Sequence, residues 1–130
     1  EYLEPKHSAT LRIAAALGYA TPIPHKKIDL TKLCSTFSLG LAYAGTDRPE
    51  VKEMLTNALD DPNASMEVLG IHALALGLVC VGTCDSELTA KLCGLYDGKS
   101  ETMLKNTYTR FISLGLGLLF LGMLHSCISF

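Results

Sequence analysis

Apolar positions along the chain fall into two alternating kinds of segment. One kind is apolar nearly all the way round: Val68 to Cys84 has no ionisable side chain of the Asp, Glu, Lys or Arg type, and neither does Phe111 to Phe130. The other kind carries a stripe. Val51, Met54, Leu55, Ala58 and Leu59 recur at i, i+3, i+4, i+7 and i+8 with Lys52, Glu53 and Asn57 pointing outward, which predicts an amphipathic helix. A second such helix is predicted from Glu87 to about Asp97, with Leu88, Leu92 and Leu95 inward and Glu87, Lys91 and Asp97 outward. Gly94 and Gly98 weaken it.

Start and stop signals sharpen these boundaries. Asp47 with Glu50 three residues on reads as a capping box, and Pro49 sits in the first turn, where its missing N–H costs nothing. Pro62 pushes the residue before it out of the helical region and ends that helix at Asp60-Asp61. Ser65 is the expected cap of an apolar helix over about Glu67 to Val81, and a third apolar helix is predicted from about Glu101 to Leu121. Upstream, Ala9 to Ala20 reads as a further apolar helix broken by Thr21-Pro22-Ile23-Pro24-His25.

The apolar segments are copies of one another. Leu39-Gly40-Leu41-Ala42-Tyr43-Ala44-Gly45-Thr46 returns as Leu76-Gly77-Leu78-Val79-Cys80-Val81-Gly82-Thr83 and again as Leu116-Gly117-Leu118-Leu119-Phe120-Leu121-Gly122-Met123. Copies 37 and 40 positions apart leave room for two helices and two turns per unit. A unit with one wholly apolar helix cannot bury it alone and must stack on its neighbours, so the fold class is all-α: helical-hairpin repeats with an apolar inner and an amphipathic outer layer. The repeats fall at about 37–64, 65–101 and 102–124, preceded over 1–36 by a partial repeat and an irregular connection at 21–36. A glycine inside a helix costs roughly 0.5–1 kcal/mol. Close helix packing at Gly40 and Gly77, and left-handed helix ends at Gly45 and Gly82, are the expected compensation. The last inner helix has no outer partner, so one apolar flank is uncovered and self-association of the isolated chain is an open outcome.

Composition removes several classes of function. A net charge of −2 with acids and bases interspersed offers no field for nucleic acid. Five cysteines at uneven spacing, with no signal-peptide pattern, predict reduced thiols in the cytoplasm or nucleus. A bilayer crossing needs about 20 apolar residues. The first apolar run is shorter, and the second reaches that length only through His125, Ser126, Cys127 and Ser129, so an inner solenoid layer is the better reading than a membrane hairpin. No nucleophile motif, paired buried carboxylates or phosphate loop occurs, which argues against an enzyme. Cys80, Cys84 and His72 lack the second ligand pair of a closed zinc site and read as buried thiols and a core histidine satisfied by its neighbours. No cofactor or metal is expected. Cys34 and Cys93 are expected as packing residues, and Arg110, inside an apolar stretch, as the partner of Glu67 or Glu101.

The glycine-bearing helices and capped outer helices resemble the proteasome/cyclosome repeat family. Ser38 to Thr46, Ser65-Met66-Glu67-Val68, Val81-Gly82-Thr83-Cys84, Ser100 to Phe111 and Leu114-Gly115-Leu116-Gly117-Leu118 follow, in order and near spacing, the non-ATPase scaffolds of the proteasome regulatory particle within that family. The resemblance covers about residues 37 to 122. It implies a toroid of two concentric helix layers, no catalysis, and docking of ubiquitin, ubiquitin-like domains of shuttle receptors or a deubiquitinating enzyme. It also implies contact with proteasomal ATPase and other regulatory-particle subunits.

In that family the outer helix after the Gly-Thr-Cys turn, with its flanking helices, forms the ubiquitin site through carboxylates and apolar side chains. The resemblance puts its first acid at Glu87, while Gly94 and Gly98 occupy two later positions that can be acidic. Asp97 partly replaces the lost charge, and Asn63 stands where a neighbouring helix start can carry an acid. Asn63, Glu87, Leu88, Lys91, Gly94, Asp97 and Gly98 are thus the expected protein-binding residues. From the residues alone, Glu87, Lys91 and Asp97 read as a solvated helix face, and only the resemblance brings a protein-binding surface level with that reading. Leu88, Leu92 or Tyr96 could add apolar contact only by facing out.

Overall fold

The computed structural model describes residues 30–123 together with Arg12, Ile13 and Ala16. Over residues 30–123 six α-helices follow in chain order: α1 Leu30–Ala42, α2 Pro49–Asn57, α3 Met66–Val79, α4 Ser86–Gly94, α5 Glu101–Leu104 and α6 Thr109–Leu119, with a 3-10 turn over Ala58–Asp60 after α2. No strand occurs among the described residues. Most of the upstream helix expected at Ala9 to Ala20 and the tail 124–130 lie outside them.

The inner layer is α1, α3 and α6, with α3 in the middle. Every residue from Leu69 to Gly77 is buried, which is why this segment shows no polar face in the sequence. The glycines set how closely the three helices approach. A Cβ built on Gly40 would lie 2.7 Å from the Cα of Ala75, and one on Gly77 would lie 2.7 Å from the Cα of Gly115. Any side chain there would force the helices apart, as the repeat pattern predicts.

Gly45 and Gly82 both end their helices in the left-handed region, at φ +73°. The two turns are copies in detail. Thr46 Oγ1 donates to the carbonyl of Tyr43 at 2.7 Å, and Thr83 Oγ1 donates to that of Cys80 at 2.8 Å. Two residues past each glycine the chain is left-handed again, at Asp47 (φ 48°) and Cys84 (φ 53°). Each turn also reaches the next repeat. The Gly45 and Asp47 amides donate to the carbonyls of Leu78 and Val79 at 2.9 and 3.0 Å, and the Gly82 and Cys84 amides donate to those of Leu118 and Leu119, both at 3.0 Å.

Several sequence expectations are corrected. Asp47 is not the N-cap of α2; Arg48 occupies that position with no side-chain cap bond, because the left-handed residue of the turn has taken Asp47. The inner segment from Glu101 to Leu121 is not one helix. It breaks at 105–108, where Asn106 Oδ1 accepts the Tyr108 amide at 2.9 Å and Asn106 Nδ2 donates to Glu67 Oε1 at 3.1 Å. The broken stretch also lays the Tyr108 carbonyl directly over Gly70. Helix α1 starts at Leu30, so helix occupies the part of the irregular connection expected over residues 30–36. Cys34 and Cys93 are exposed rather than packed, and Arg110 is exposed, with Glu67 engaged by Asn106 and Glu101 by Lys105.

Ser65 does cap α3, its hydroxyl accepting from the Val68 amide at 3.4 Å. Buried His72 sits 2.7 Å from the Val68 carbonyl through Nδ1, and burial holds its pKa below the ordinary histidine value. No described helix is long and apolar enough to cross a membrane.

Candidate protein-docking site

Helices α2 and α4 form the outer layer, each anchored by one stripe. Val51 and Leu55 of α2, with Leu59 just after it, are buried, as are Leu88 and Leu92 of α4 with Leu95 after it. The opposite faces meet along a groove of about 300 Å³, lined on one side by Pro49, Lys52, Glu53, Thr56, Asn57 and Asp60 and on the other by Asp85, Glu87, Leu88 and Lys91.

Local chemistry fixes the start of α4. Asp85 is its N-cap, with Oδ1 accepting the Leu88 amide at 3.0 Å. Its Oδ2 lies 2.6 Å from Lys52 Nζ on α2, and the same ammonium reaches Asp47 at 3.3 Å. Lys52 therefore ties the turn before its own helix to the cap of the next outer helix. The Leu88 amide and then Lys52 hold the Asp85 carboxyl below the usual carboxylate range, while the bond to Asp85 raises the Lys52 ammonium above the usual lysine value. At the other end of the groove Lys91 spans the two helices to Asp60, with contacts of 2.7 and 2.8 Å to its two carboxylate oxygens. Beneath this region the Cys80 thiol is pushed up to about 12, chiefly by burial, and is kept protonated and unreactive at neutral pH.

Both lysines are thus engaged, whereas the exposed carboxylates of Glu53 and Glu87 have no ion-pair partner among the described residues. The groove consequently carries net negative charge at its rim. Among the described residues no group of three or more His, Cys, Asp or Glu side chains could hold a metal ion.

Of the residues singled out in the sequence, the groove brings together Glu87, Lys91 and Leu88. Leu88 is only 4% exposed, so it supports α4 from below and is corrected from a contact residue to a core one; its place on the inward stripe of the helix is the reason. Lys91 is half-buried in its pair with Asp60 rather than free on the surface. Asn63, Gly94, Asp97 and Gly98 do not line the groove. Asn63 sits in the turn after α2, its amide donating to Asp61 Oδ1 at 2.9 Å. Gly94 ends α4 in open surroundings, with Asp97 Oδ2 4.0 Å from where its Cβ would lie. Gly98, at φ +69°, is a turn glycine whose replacement by an acid would strain the backbone.

Neither Leu92 nor Tyr96 offers an outward apolar patch. Leu92 is fully buried, and half-buried Tyr96 places its hydroxyl 2.7 Å from Ser113 Oγ. Sequence reasoning left Glu53, Thr56, Asn57 and Asp60 out of the site. The available signal was that consecutive outer helices in a repeat array lie side by side.

Comparison with known proteins follows the same lines. Residues 35–68 match the proteasome/cyclosome repeat model. The chain is similar to the 26S proteasome non-ATPase regulatory subunit 2 of Dictyostelium discoideum, with 44% identity over 92 residues, 71% of this chain and 10% of that protein. It is also similar to the 26S proteasome regulatory subunit rpn-1 of Neurospora crassa, with 38% identity over 109 residues, 83% of this chain and 12% of that protein. The chain thus spans about a tenth of the length of these curated relatives. With its stacked glycine-bearing helices, its repeat match and its relatives in agreement, the chain belongs to the proteasome/cyclosome repeat family.

Proposed function

We propose that this segment is a non-catalytic scaffold piece of a proteasome regulatory particle, working among other regulatory-particle and ATPase subunits in the cytoplasm and nucleus. Its outer layer docks ubiquitin or the ubiquitin-like domains of shuttle receptors along the groove between α2 and α4. The observation that carries this reading is the rim: Glu53 and Glu87 stand exposed on neighbouring helices without ion-pair partners among the described residues, while the lysines beside them are held by Asp85 and Asp60. Two uncompensated carboxylates steer a partner whose contact patch is ringed by basic residues, and give it a fixed orientation across the two helices. The free state of Cys34, Cys80, Cys84 and Cys93 fits a reducing compartment.

The test is a titration of isotope-labelled chain with ubiquitin and, separately, with a ubiquitin-like domain. Amide shifts are expected at Glu53, Thr56, Asn57, Glu87 and Lys91, weakening as salt is raised and disappearing in Glu87→Lys. Absence of shifts up to millimolar ligand overturns docking. A second reading then stands, a purely architectural repeat segment. It is favoured by the burial of Leu88 and Leu92 and by the uncharged Gly94 and Gly98, which leave the outer face little apolar area and few acids for a partner.

A further inference from the structure

The groove between α2 and α4 is crossed by two lysines running in opposite directions. Lys52 reaches from α2 to Asp85 at the start of α4, and Lys91 reaches from α4 back to Asp60 just past the end of α2. Along α4 the two crossings are about 9 Å apart, the rise from Asp85 to Lys91. Glu53 and Glu87 line the groove and fall between them in the sequence of each helix.

The crossings differ in what depends on them. Lys52 holds two carboxylates, Asp85 at 2.6 Å and Asp47 at 3.3 Å, and Asp85 in turn accepts the Leu88 amide, so losing this contact disturbs the cap of α4. Lys91 holds Asp60 alone. The Asp60 side chain is 60% exposed and has no other partner among the described residues. A pair this exposed is weak and screened by salt, and neither a cap nor a turn rests on it. Its geometry is also improvable. The single ammonium of Lys91 is shared between both oxygens of Asp60, at 2.7 and 2.8 Å, where a guanidinium would give each oxygen an N–H of its own.

We propose that Lys91 sets the affinity of the groove: it is an internal counter-ion seated on Asp60, and an arginine of the docked partner takes that seat by displacing it. This rests on the reading of the groove as a docking site, and adds to Glu53 and Glu87 a third carboxylate that Lys91 covers until the partner arrives. Lys52 is a positioning residue and stays in place throughout.

An NMR titration of the 130-residue chain with a tetra-arginine peptide, and separately with ubiquitin, tests this. Lys91→Gln removes the counter-ion and is expected to tighten peptide binding by about threefold and to steepen its dependence on salt. Asp60→Asn is expected to weaken binding, and Lys91→Gln to add nothing once Asp60 is replaced. Lys105→Gln removes the same charge and frees Glu101 outside the groove, and is expected to bind like the parent. All variants are expected to keep the helical circular dichroism of the parent, and tetra-lysine to bind more weakly than tetra-arginine.

Unchanged affinity in Lys91→Gln, a gain that survives in the Asp60→Asn background, an equal gain in Lys105→Gln, or tetra-lysine binding as tightly as tetra-arginine overturns the exchange. So does a Lys91→Gln chain that takes up no peptide at low salt. Ubiquitin separates the two claims. Exchange with the peptide but no ubiquitin binding supports the role of Lys91 and overturns ubiquitin docking, whereas ubiquitin binding unmoved by Lys91→Gln and Asp60→Asn leaves docking standing and overturns the exchange.

Discussion

The inner layer is built from helices of 11–14 residues and the outer layer from helices of 9, and the two are joined by different means. Inner helices touch backbone to backbone: Gly77 packs on Gly115 with no room for a methyl group, and turn amides cross from one repeat to the next. Outer helices α2 and α4 bury one leucine stripe each and otherwise meet through the ends of long side chains, Lys52 to Asp85 and Lys91 to Asp60. Backbone contact tolerates no change of shape, because interiors are packed to crystal density. Half-exposed ion pairs tolerate a great deal. Register is therefore fixed inside, and the surface that faces partners is left free to vary.

Substitutions in the two layers should separate accordingly. Gly77→Ala carries the largest expected effect: overpacking against Gly115 costs about 1–3 kcal/mol, read as a lower urea midpoint, despite the better helix propensity of alanine. An unchanged midpoint would mean the inner seam is looser than the contact distances require. In the outer layer, Asp85→Ala removes a cap and should cost about 1 kcal/mol. Because the folded state holds the Asp85 carboxyl below its unfolded value of about 3.9, its contribution is present above that pH and fades as pH falls through the folded value. The gap between Asp85→Ala and the parent should therefore close in acid-dependent denaturation curves.

Gly117→Ala sharpens the contrast within one residue type. It sits in the same repeat position as Gly77 but faces open space, so the monomer should gain roughly 0.5–1 kcal/mol from reduced chain entropy in the unfolded state. Lys91→Ala should have the smallest effect, about 0.2–1 kcal/mol, since its partner Asp60 is 60% exposed, and raising the salt should erase it in thermal melts.

The difference between layers also explains what could be read from the chain. Repeat-matched glycines demand a backbone reason wherever they occur, so Gly40, Gly77, Gly45 and Gly82 announced both the close seams and the left-handed turns before any coordinates. Side-chain competition was harder to see. Asn106 closes on the Tyr108 amide and breaks an otherwise continuous apolar helix, a local bond that hydrophobic periodicity does not register. The shift of the cap from Asp47 to Arg48 was visible only by aligning the first turn on the second, where Gly45 matches Gly82 and Arg48 falls opposite Asp85. At the candidate site, the outward helix positions of Glu87 and Lys91, which place them on the groove, are legible in the sequence. Glu53, Thr56 and Asn57 were passed over because their helix was read alone and not beside α4. Leu88 was misplaced for the opposite reason, as the resemblance asked for an apolar contact where the stripe of α4 had already turned that residue inward.

The turn amides that cross between repeats bear on how the molecule comes apart. Gly45 and Asp47 hold the end of α3, and Gly82 and Cys84 hold the end of α6, so no unit can fray at its helix terminus without loosening its neighbour. Coupling of this sort makes thermal melting behave as a single block and makes stability climb with the number of units in the array. Those four amides should accordingly be among the last in the molecule to give up their protons to heavy water.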